Sequence, residues 1–230
     1  MATSKASEQP GGRSLWGHNP VTGELAHVLS QPDGGRNFEV ELWLQPGAAV
    51  AGAHVHPSVI ERFEVQEGDV TFLVGDRERP MRPGDGTAEV PVGTVHDWWN
   101  SGAGIARVRV EIEAAPGAPP GTADRFVAMI ETLWSLGALG KVNDKGMPDP
   151  LWLAAIAHEY RDVMRFVNPP RLLQGALFPP LAAIAGRLDR DPTDPALHGP
   201  GAPIWIDDPG DDLEALLGRQ VGAGEARGRG

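Results

Sequence analysis

The sequence predicts a mainly β protein, an antiparallel sandwich or barrel followed by an α-helical extension. Between residues 20 and 115, short segments of alternating apolar and polar side chains are separated by Gly, Pro and Asp turns, without a helical period. After a linker over 116–121, rich in Pro, Gly and Ala, the spacing of apolar residues changes from two to about 3.6 residues. Many short strands with such turns are typical of sandwiches and barrels. We therefore assign the barrel to residues 15–115 and the helical extension to 122–217.

The strands are predicted in chain order from this alternation. A turn at 19–24 leads into a strand near 25–30, and a second turn at 31–35 precedes a strand over 38–45. In the latter, Phe38, Val40, Leu42 and Leu44 alternate with Glu39, Glu41, Trp43 and Gln45, as in a half-buried strand. Residues 62–74 are predicted to form a hairpin that turns at 67–69, and further strands follow at 88–90 and 106–113.

Three longer helices are predicted in the extension. The first covers about 122–139, and the second runs from Pro150, capped by Asp149, to Val167 before an Asn-Pro-Pro segment. A third covers 171–188, where Pro179 and Pro180 are expected to break or kink it. The pattern also allows a short helix over 212–218.

Composition and charge narrow the class of protein. The 230 residues are 41% hydrophobic and 22% charged, typical of a globular protein, and residues 1–14 and 218–230 are predicted to be disordered tails. A net charge of −11 opposes nucleic acid and anionic lipid, so we expect no nucleic-acid partner and no membrane association. Cysteine is absent and the N-terminus lacks a signal-peptide pattern, which together favour a cytoplasmic location.

Two segments carry candidate metal ligands. On a strand, His54 and His56 project to the same side, because alternate side chains share a face. Glu61 follows at the start of an alternating run, and His96 follows a Pro-x-Gly turn about forty residues later. Three imidazoles and one carboxylate suit a divalent Fe, Mn, Ni, Cu or Zn ion and leave coordination positions open. We therefore predict His54, His56, Glu61 and His96 as metal ligands.

The spacing of these residues resembles the two conserved motifs of the cupins. The first motif is matched by His54-x-His56-x(4)-Glu61-x(6)-Gly68 and the second by Pro91-x-Gly93-x(2)-His96-x(3)-Asn100. The glycine before the first motif, Gly47, lies one residue further out than usual, and the glycine that opens the second is either Gly84 or Gly86. The resemblance implies a double-stranded β-helix (jelly-roll) barrel, a divalent metal inside it, and a homodimer. The helical extension resembles that of a widespread bacterial group of single-cupin proteins.

Further residues are predicted around the metal. Phe63, Trp98 and Asn100 are expected to line a substrate pocket, and Glu61 is also a candidate catalytic base. Only one of Trp98 and Trp99 can face inward, and core packing is the favoured role for it. His158 to Asp162 lacks the second histidine of a zincin helix and is expected to form a solvated face.

The predicted function is that of a metal-dependent protein acting on a small organic molecule. Within the resemblance the enzymatic reactions are oxygenation, isomerisation or epimerisation, and decarboxylation, and we favour an oxidoreductase of the dioxygenase type or an isomerase or epimerase. The alternative is a non-catalytic ligand-binding or sensor protein whose helical extension mediates dimerisation. Residues 172–186 are apolar but shorter than the roughly 20 residues of a membrane span, so we expect them to pack on the barrel or a partner, with a membrane-surface role as the alternative.

Overall fold

The computed structural model describes residues 15–30, 34–49, 52–143 and 146–218. The predicted N-terminal tail, the turn at 31–33 and residues 219–230 of the predicted C-terminal tail lie outside these ranges. Within them the structure contains twelve strands: β1 Leu15–His18, β2 Leu25–Ser30, β3 Asn37–Leu44, β4 His54–Val55, β5 Val59–Glu67, β6 Val70–Val74, β7 Arg77–Met81, β8 Thr87–Val90, β9 His96–Asn100, β10 Ala106–Ala114, β11 Arg165–Phe166 and β12 Trp205–Ile206. The predicted strands are all present, including those that carry His54 and His96, and β1, β7, β11 and β12 complete the sheets.

The strands form two antiparallel sheets that pack face to face. The seven-stranded sheet has the order β12-β1-β2-β3-β10-β5-β8, and the five-stranded sheet has the order β11-β4-β9-β6-β7. Phe63 of the first sheet contacts Phe72 and Trp98 of the second, with ring centroids 5.1 Å apart in both pairs. Apolar side chains at alternate strand positions therefore fill the space between the sheets, as the period of two predicts.

Four helices follow the barrel: α1 Thr122–Ala138, α2 Pro150–Glu159, α3 Arg171–Arg187 and α4 Leu213–Gly218. The predicted cap of α2 is present, because the Asp149 side chain accepts from the backbone nitrogens of Leu151 and Trp152. Helix α1 packs on β10 and β3, and its buried face includes Phe126, Met129 and Trp134. A barrel followed by helices is thus the observed architecture. None of these helices is long and apolar enough to cross a membrane, considering the described residues alone.

The predicted end of the second helix is wrong. Helix α2 stops at Glu159 instead of reaching Val167, and Arg165–Phe166 forms strand β11 beside β4. The apolar residues after Tyr160 continue the spacing of a helix face, but Val163 and Met164 are buried against the barrel as non-helical backbone. Hydrogen bonding to the edge of a sheet therefore outweighs the local helical pattern.

Of the predicted break or kink at Pro179 and Pro180, the break does not occur, because α3 continues through both prolines. A proline removes one N–H donor and crowds the carbonyl four residues earlier. Those carbonyls belong to Gly175 and Ala176, which are exposed to solvent. Water can reach both groups, so the helix continues.

Both faces of the large sheet are covered near β1. Trp16 on β1 packs against Trp43 on β3, with ring centroids 5.3 Å apart, on the face away from the main core. Leu217 of α4 belongs to the same small cluster. The alternation places Trp43 on the polar side of its strand, but Trp43 is buried because α4 covers that face with Leu217.

Candidate metal centre

The four predicted metal ligands come together inside the barrel. His54 on β4 lies directly opposite His96 on β9, and His56 follows His54 on the same side of the chain. Glu61 extends from β5 of the other sheet. The Gly93 N–H donates to the His56 carbonyl oxygen at 2.9 Å, which ties the turn before His96 to the first motif. All four side chains are buried.

The ligand atoms lie at spacings that suit one metal ion. His54 Nε2 lies 2.9 Å from His56 Nε2, and Glu61 Oε2 lies 3.3 Å from His56 Nε2 and 2.8 Å from His96 Nε2. The four atoms all fall within 4.8 Å of one another. Metal–ligand bonds of about 2.1 Å place adjacent ligands about 3.0 Å apart in an octahedron and about 3.4 Å apart in a tetrahedron. The observed separations therefore match adjacent ligands of a single ion.

Backbone carbonyls fix the tautomer of each histidine. The three Nδ1 atoms lie close to carbonyl oxygens: His54 to Gly52 at 2.6 Å, His56 to Val163 at 2.6 Å, and His96 to Thr94 at 3.1 Å. A carbonyl oxygen can only accept, so each Nδ1 carries the proton and each Nε2 offers a lone pair. This is the outer arrangement that orients histidine ligands toward a metal.

The arrangement suits a cation at its centre. With their Nδ1 atoms protonated, the His54 and His56 rings have no proton to place between their Nε2 atoms, 2.9 Å apart, unless one ring is charged. Glu61 Oε2 and His96 Nε2 are buried and face each other at 2.8 Å, and with Nδ1 protonated the neutral His96 ring has no proton to donate to Glu61. Buried acceptors facing one another are costly unless something positive lies between them. The donor set thus fits a divalent metal ion.

The charges of the four side chains are coupled. Burial and the neighbouring imidazoles of His56 and His96 lower the pKa of His54 to about 3. Burial by itself would raise the pKa of Glu61, but His56 and His96 hold that pKa well below its ordinary value. Burial also opposes charge on His56, yet the Glu61 carboxylate outweighs it and raises the pKa of His56. Glu61 therefore stays ionised and attracts positive charge to this point.

Hydrogen bonds and ion pairs hold the segment that follows α2 next to the candidate metal centre. The Ser58 hydroxyl donates to the Asp162 carbonyl oxygen at 2.6 Å, and the Arg125 guanidinium binds the Asp162 carboxylate at 2.7 and 2.9 Å. Arg125 also donates to the Glu159 carboxylate at 3.2 Å and to its carbonyl at 2.7 Å. These contacts hold the Val163 carbonyl against His56. Residues 158–162, predicted to form a solvated face, are therefore held partly by contacts within the protein.

A cavity of about 410 Å³ opens onto the candidate metal centre. One part of its wall comes from the inner face of the large sheet, including Phe38, Val40 and Leu42. Another part comes from the extension, including Phe126, whose ring centroid lies 5.2 Å from that of His56. The extension thus forms part of the enclosure around the site.

The three predicted pocket residues differ in their surroundings. Phe63 and Trp98 line the cavity and are also packed in the core, 1% and 4% exposed. Asn100 does not line it, and this prediction is corrected. Its Nδ2 donates to the Leu44 and Gly104 carbonyls at 2.9 and 2.8 Å, and its Oδ1 accepts from Gly102 N. Asn100 therefore holds the loop after β9 in place.

Sequence reasoning missed the contribution of the extension. Val163 acts through its backbone carbonyl, which carries no residue-type signal. Phe126 was recognised only as part of a helix face. Glu131 also lines the cavity, and its helical position among apolar neighbours is a signal that could have identified it.

Comparison with known proteins agrees with the motifs. Residues 41–113 match the family model described as Cupin domain, which confirms the resemblance for about a third of the chain. No curated protein matches the chain. Similar solved structures include the Schizosaccharomyces pombe Cnp3 cupin domain, at 17% identity and TM-score 0.37, over 40% of this chain and 65% of that one.

Two further structures bear names of enzymes. A sugar phosphate isomerase from Silicibacter pomeroyi matches at 24% identity and TM-score 0.36, over 45% of this chain and 71% of that one. A predicted oxalate decarboxylase from Thermotoga maritima matches at 17% identity and TM-score 0.38, over 50% of this chain and 100% of that one.

Proposed function

Because residues 41–113 form a cupin domain, we propose that this protein is a metal-dependent enzyme that acts on a small organic molecule inside its barrel. The observation that carries the proposal is the convergence of His54, His56, Glu61 and His96 beside a largely apolar cavity. A buried ligand set that opens onto a cavity is the arrangement of a catalytic metal site, whereas structural sites are closed.

A bound divalent metal would supply Lewis acidity toward a chelating pair of oxygens and, with Fe or Mn, access to dioxygen chemistry. The chain provides the rest. Three Nε2 atoms and Glu61 hold the ion, and the apolar walls exclude water from the reacting atoms. Glu61 is also the candidate proton acceptor, because a carboxylate that binds the ion can move from it toward the substrate. We propose oxidation by dioxygen as the reaction, with isomerisation or epimerisation as its alternative.

The test is metal-dependent turnover. Protein loaded with Fe, Mn or Zn is supplied with catechol or acetylacetone, and oxygen uptake and products are measured. We expect uptake with Fe or Mn and none in His96→Ala. If no metal supports uptake or any change in substrate, the enzymatic proposal is wrong.

A second candidate function is a non-catalytic ligand-binding protein that dimerises through its extension. It is favoured by α3, where Leu172 is 90% exposed and Leu173, Leu177 and Ile184 are also exposed. Apolar helical side chains exposed together mark an interaction surface. We propose a second copy of this chain as the partner.

Light scattering should then give a dimer for the native protein and a monomer for Leu172→Glu/Leu177→Glu. The matched control is Arg171→Glu, which adds negative charge at the start of α3 without removing a leucine. A monomeric native protein would contradict the dimer. Ligand recovered unchanged from the metal-loaded protein would favour this function over catalysis. The cytoplasmic location stays a prediction.

A further inference from the structure

The side chains that line the cavity show what kind of molecule it can hold. Most are aliphatic or aromatic, and they come from both sheets and from the extension. Apart from the metal ligands, the polar ones are Asn19, Thr22 and Glu131. Among the described residues, no lysine or arginine lines the cavity.

The charges that reach the cavity are negative. Glu61 lies at the candidate metal centre, and Glu131 on α1 is buried along the wall. Glu131 Oε2 accepts from the Gly199 N–H at 3.3 Å and lies 3.6 Å from His198 Nδ1. Neither partner of Glu131 lines the cavity. A carboxylate or phosphate on the ligand would lose its hydration here without gaining a cationic side chain, which is costly.

The volume of the cavity limits the size of the ligand that it can hold. At roughly the 30 Å³ that a molecule occupies in liquid water, 410 Å³ has room for about a dozen non-hydrogen atoms. Cavities of this size and polarity are typical of sites for small organic ligands.

We propose that the cavity takes a mainly apolar molecule of about a dozen non-hydrogen atoms that carries two adjacent oxygens and no charged group away from them. The inference rests on the proposed function only in that the metal would hold these oxygens. Away from the metal, a phosphate or a second carboxylate would meet no lysine or arginine among the described residues that line the cavity. Selectivity therefore comes from the rejection of negative charge.

Two catechols of similar size test this inference. 4-tert-Butylcatechol is uncharged and apolar, whereas 3,4-dihydroxybenzoate has the same oxygen pair and adds a carboxylate. Binding to zinc-loaded full-length protein is measured by calorimetry, with glucose 6-phosphate as a further anionic probe. We expect 4-tert-butylcatechol to bind at least tenfold more tightly than either anion.

A lysine in the cavity should reverse the preference. Leu42→Lys places a cation on the inner face of β3, and Leu133→Lys does so from α1 if the first variant fails to fold. Either should raise the affinity for 3,4-dihydroxybenzoate at least tenfold and weaken that for 4-tert-butylcatechol. The matched control is Val92→Lys, at an exposed position outside the cavity, and it should leave the affinities for both catechols unchanged.

The outcomes separate this inference from the proposed function. Metal-loaded protein that binds an anion as tightly as the neutral catechol, or binds neither, overturns the inference and leaves the metal site standing. A preference for the neutral catechol that persists equally in metal-free protein supports the inference and counts against the metal-dependent function.

Discussion

Glu24 makes the stability of the fold depend on pH. Its side chain lies at the start of β2 and is 2% exposed, with one hydrogen bond from Asn19 Nδ2 at 3.3 Å. Burial raises the pKa of Glu24 from 4.5 to about 7. In the unfolded chain the carboxyl ionises near pH 4.5, whereas in the folded protein it keeps its proton to about pH 7. Stability is therefore full below pH 4.5 and is lost as the pH rises through 7.

The size of the loss follows from the two pKa values. At about 1.36 kcal/mol for each pH unit between them, the free energy of unfolding should fall by about 3 kcal/mol between pH 4.5 and pH 8 through this group. Glu24→Gln keeps the shape of the side chain but cannot ionise. The variant should match the native protein near pH 4.5 and be about 3 kcal/mol more stable at pH 8.

Urea unfolding of both proteins at several pH values measures this difference. Glu64→Gln, at an exposed position on β5, is the control and should leave the pH dependence unchanged. If the difference between native protein and Glu24→Gln is the same at pH 4.5 and pH 8, the carboxyl does not titrate as described and the reasoning is refuted.

Three further predictions concern the metal and the barrel. His96→Ala should lose bound metal while the far-ultraviolet circular dichroism stays native, because the strands are held by their own apolar core; elemental analysis that finds metal retained would contradict the assignment. Gly68→Ala should lower the free energy of unfolding in urea by about 3 kcal/mol, because the φ angle of Gly68 is +79° and an added Cβ would lie 2.9 Å from Ala106 Cα. The control is Gly75→Ala, where an added Cβ would meet open space, and equal losses in the two variants would refute the contact argument. Arg125→Met should weaken metal binding by about tenfold, measured by competition with a chelator, because the contacts of Arg125 with Asp162 are lost. Unchanged affinity would show that the segment containing Asp162 and Val163 does not support His56.

The main elements of the barrel and the four ligands were predictable because they depend on local periods. Alternation at period two placed Phe38, Val40 and Leu42 on one face, and the structure places that face toward the cavity. The same rule put His54 and His56 on one side of the chain. The candidate ligands could then be selected because histidine and glutamate are residue types that bind metal ions.

The errors share one cause, the competition between local pattern and distant contacts. Residues 160–167 continue the apolar spacing of a helix, yet Arg165–Phe166 pairs with β4. Asn100 belongs to the second motif, but its amide is used by the backbone of Leu44 and Gly104. Neither contact can be read from a window of neighbouring residues.

The sequence by itself determined the alternation of the strands and the identity of the candidate metal ligands, because side-chain chemistry and a repeat of two are properties of short segments. Only the tertiary structure decided how the ligands are oriented and what surrounds them. The Val163 carbonyl reaches His56 from 107 residues away, and Phe126 closes the wall beside it. Such contacts arise when the extension packs on the barrel, since a backbone carbonyl has no residue type and an apolar wall exists only once distant segments are buried together.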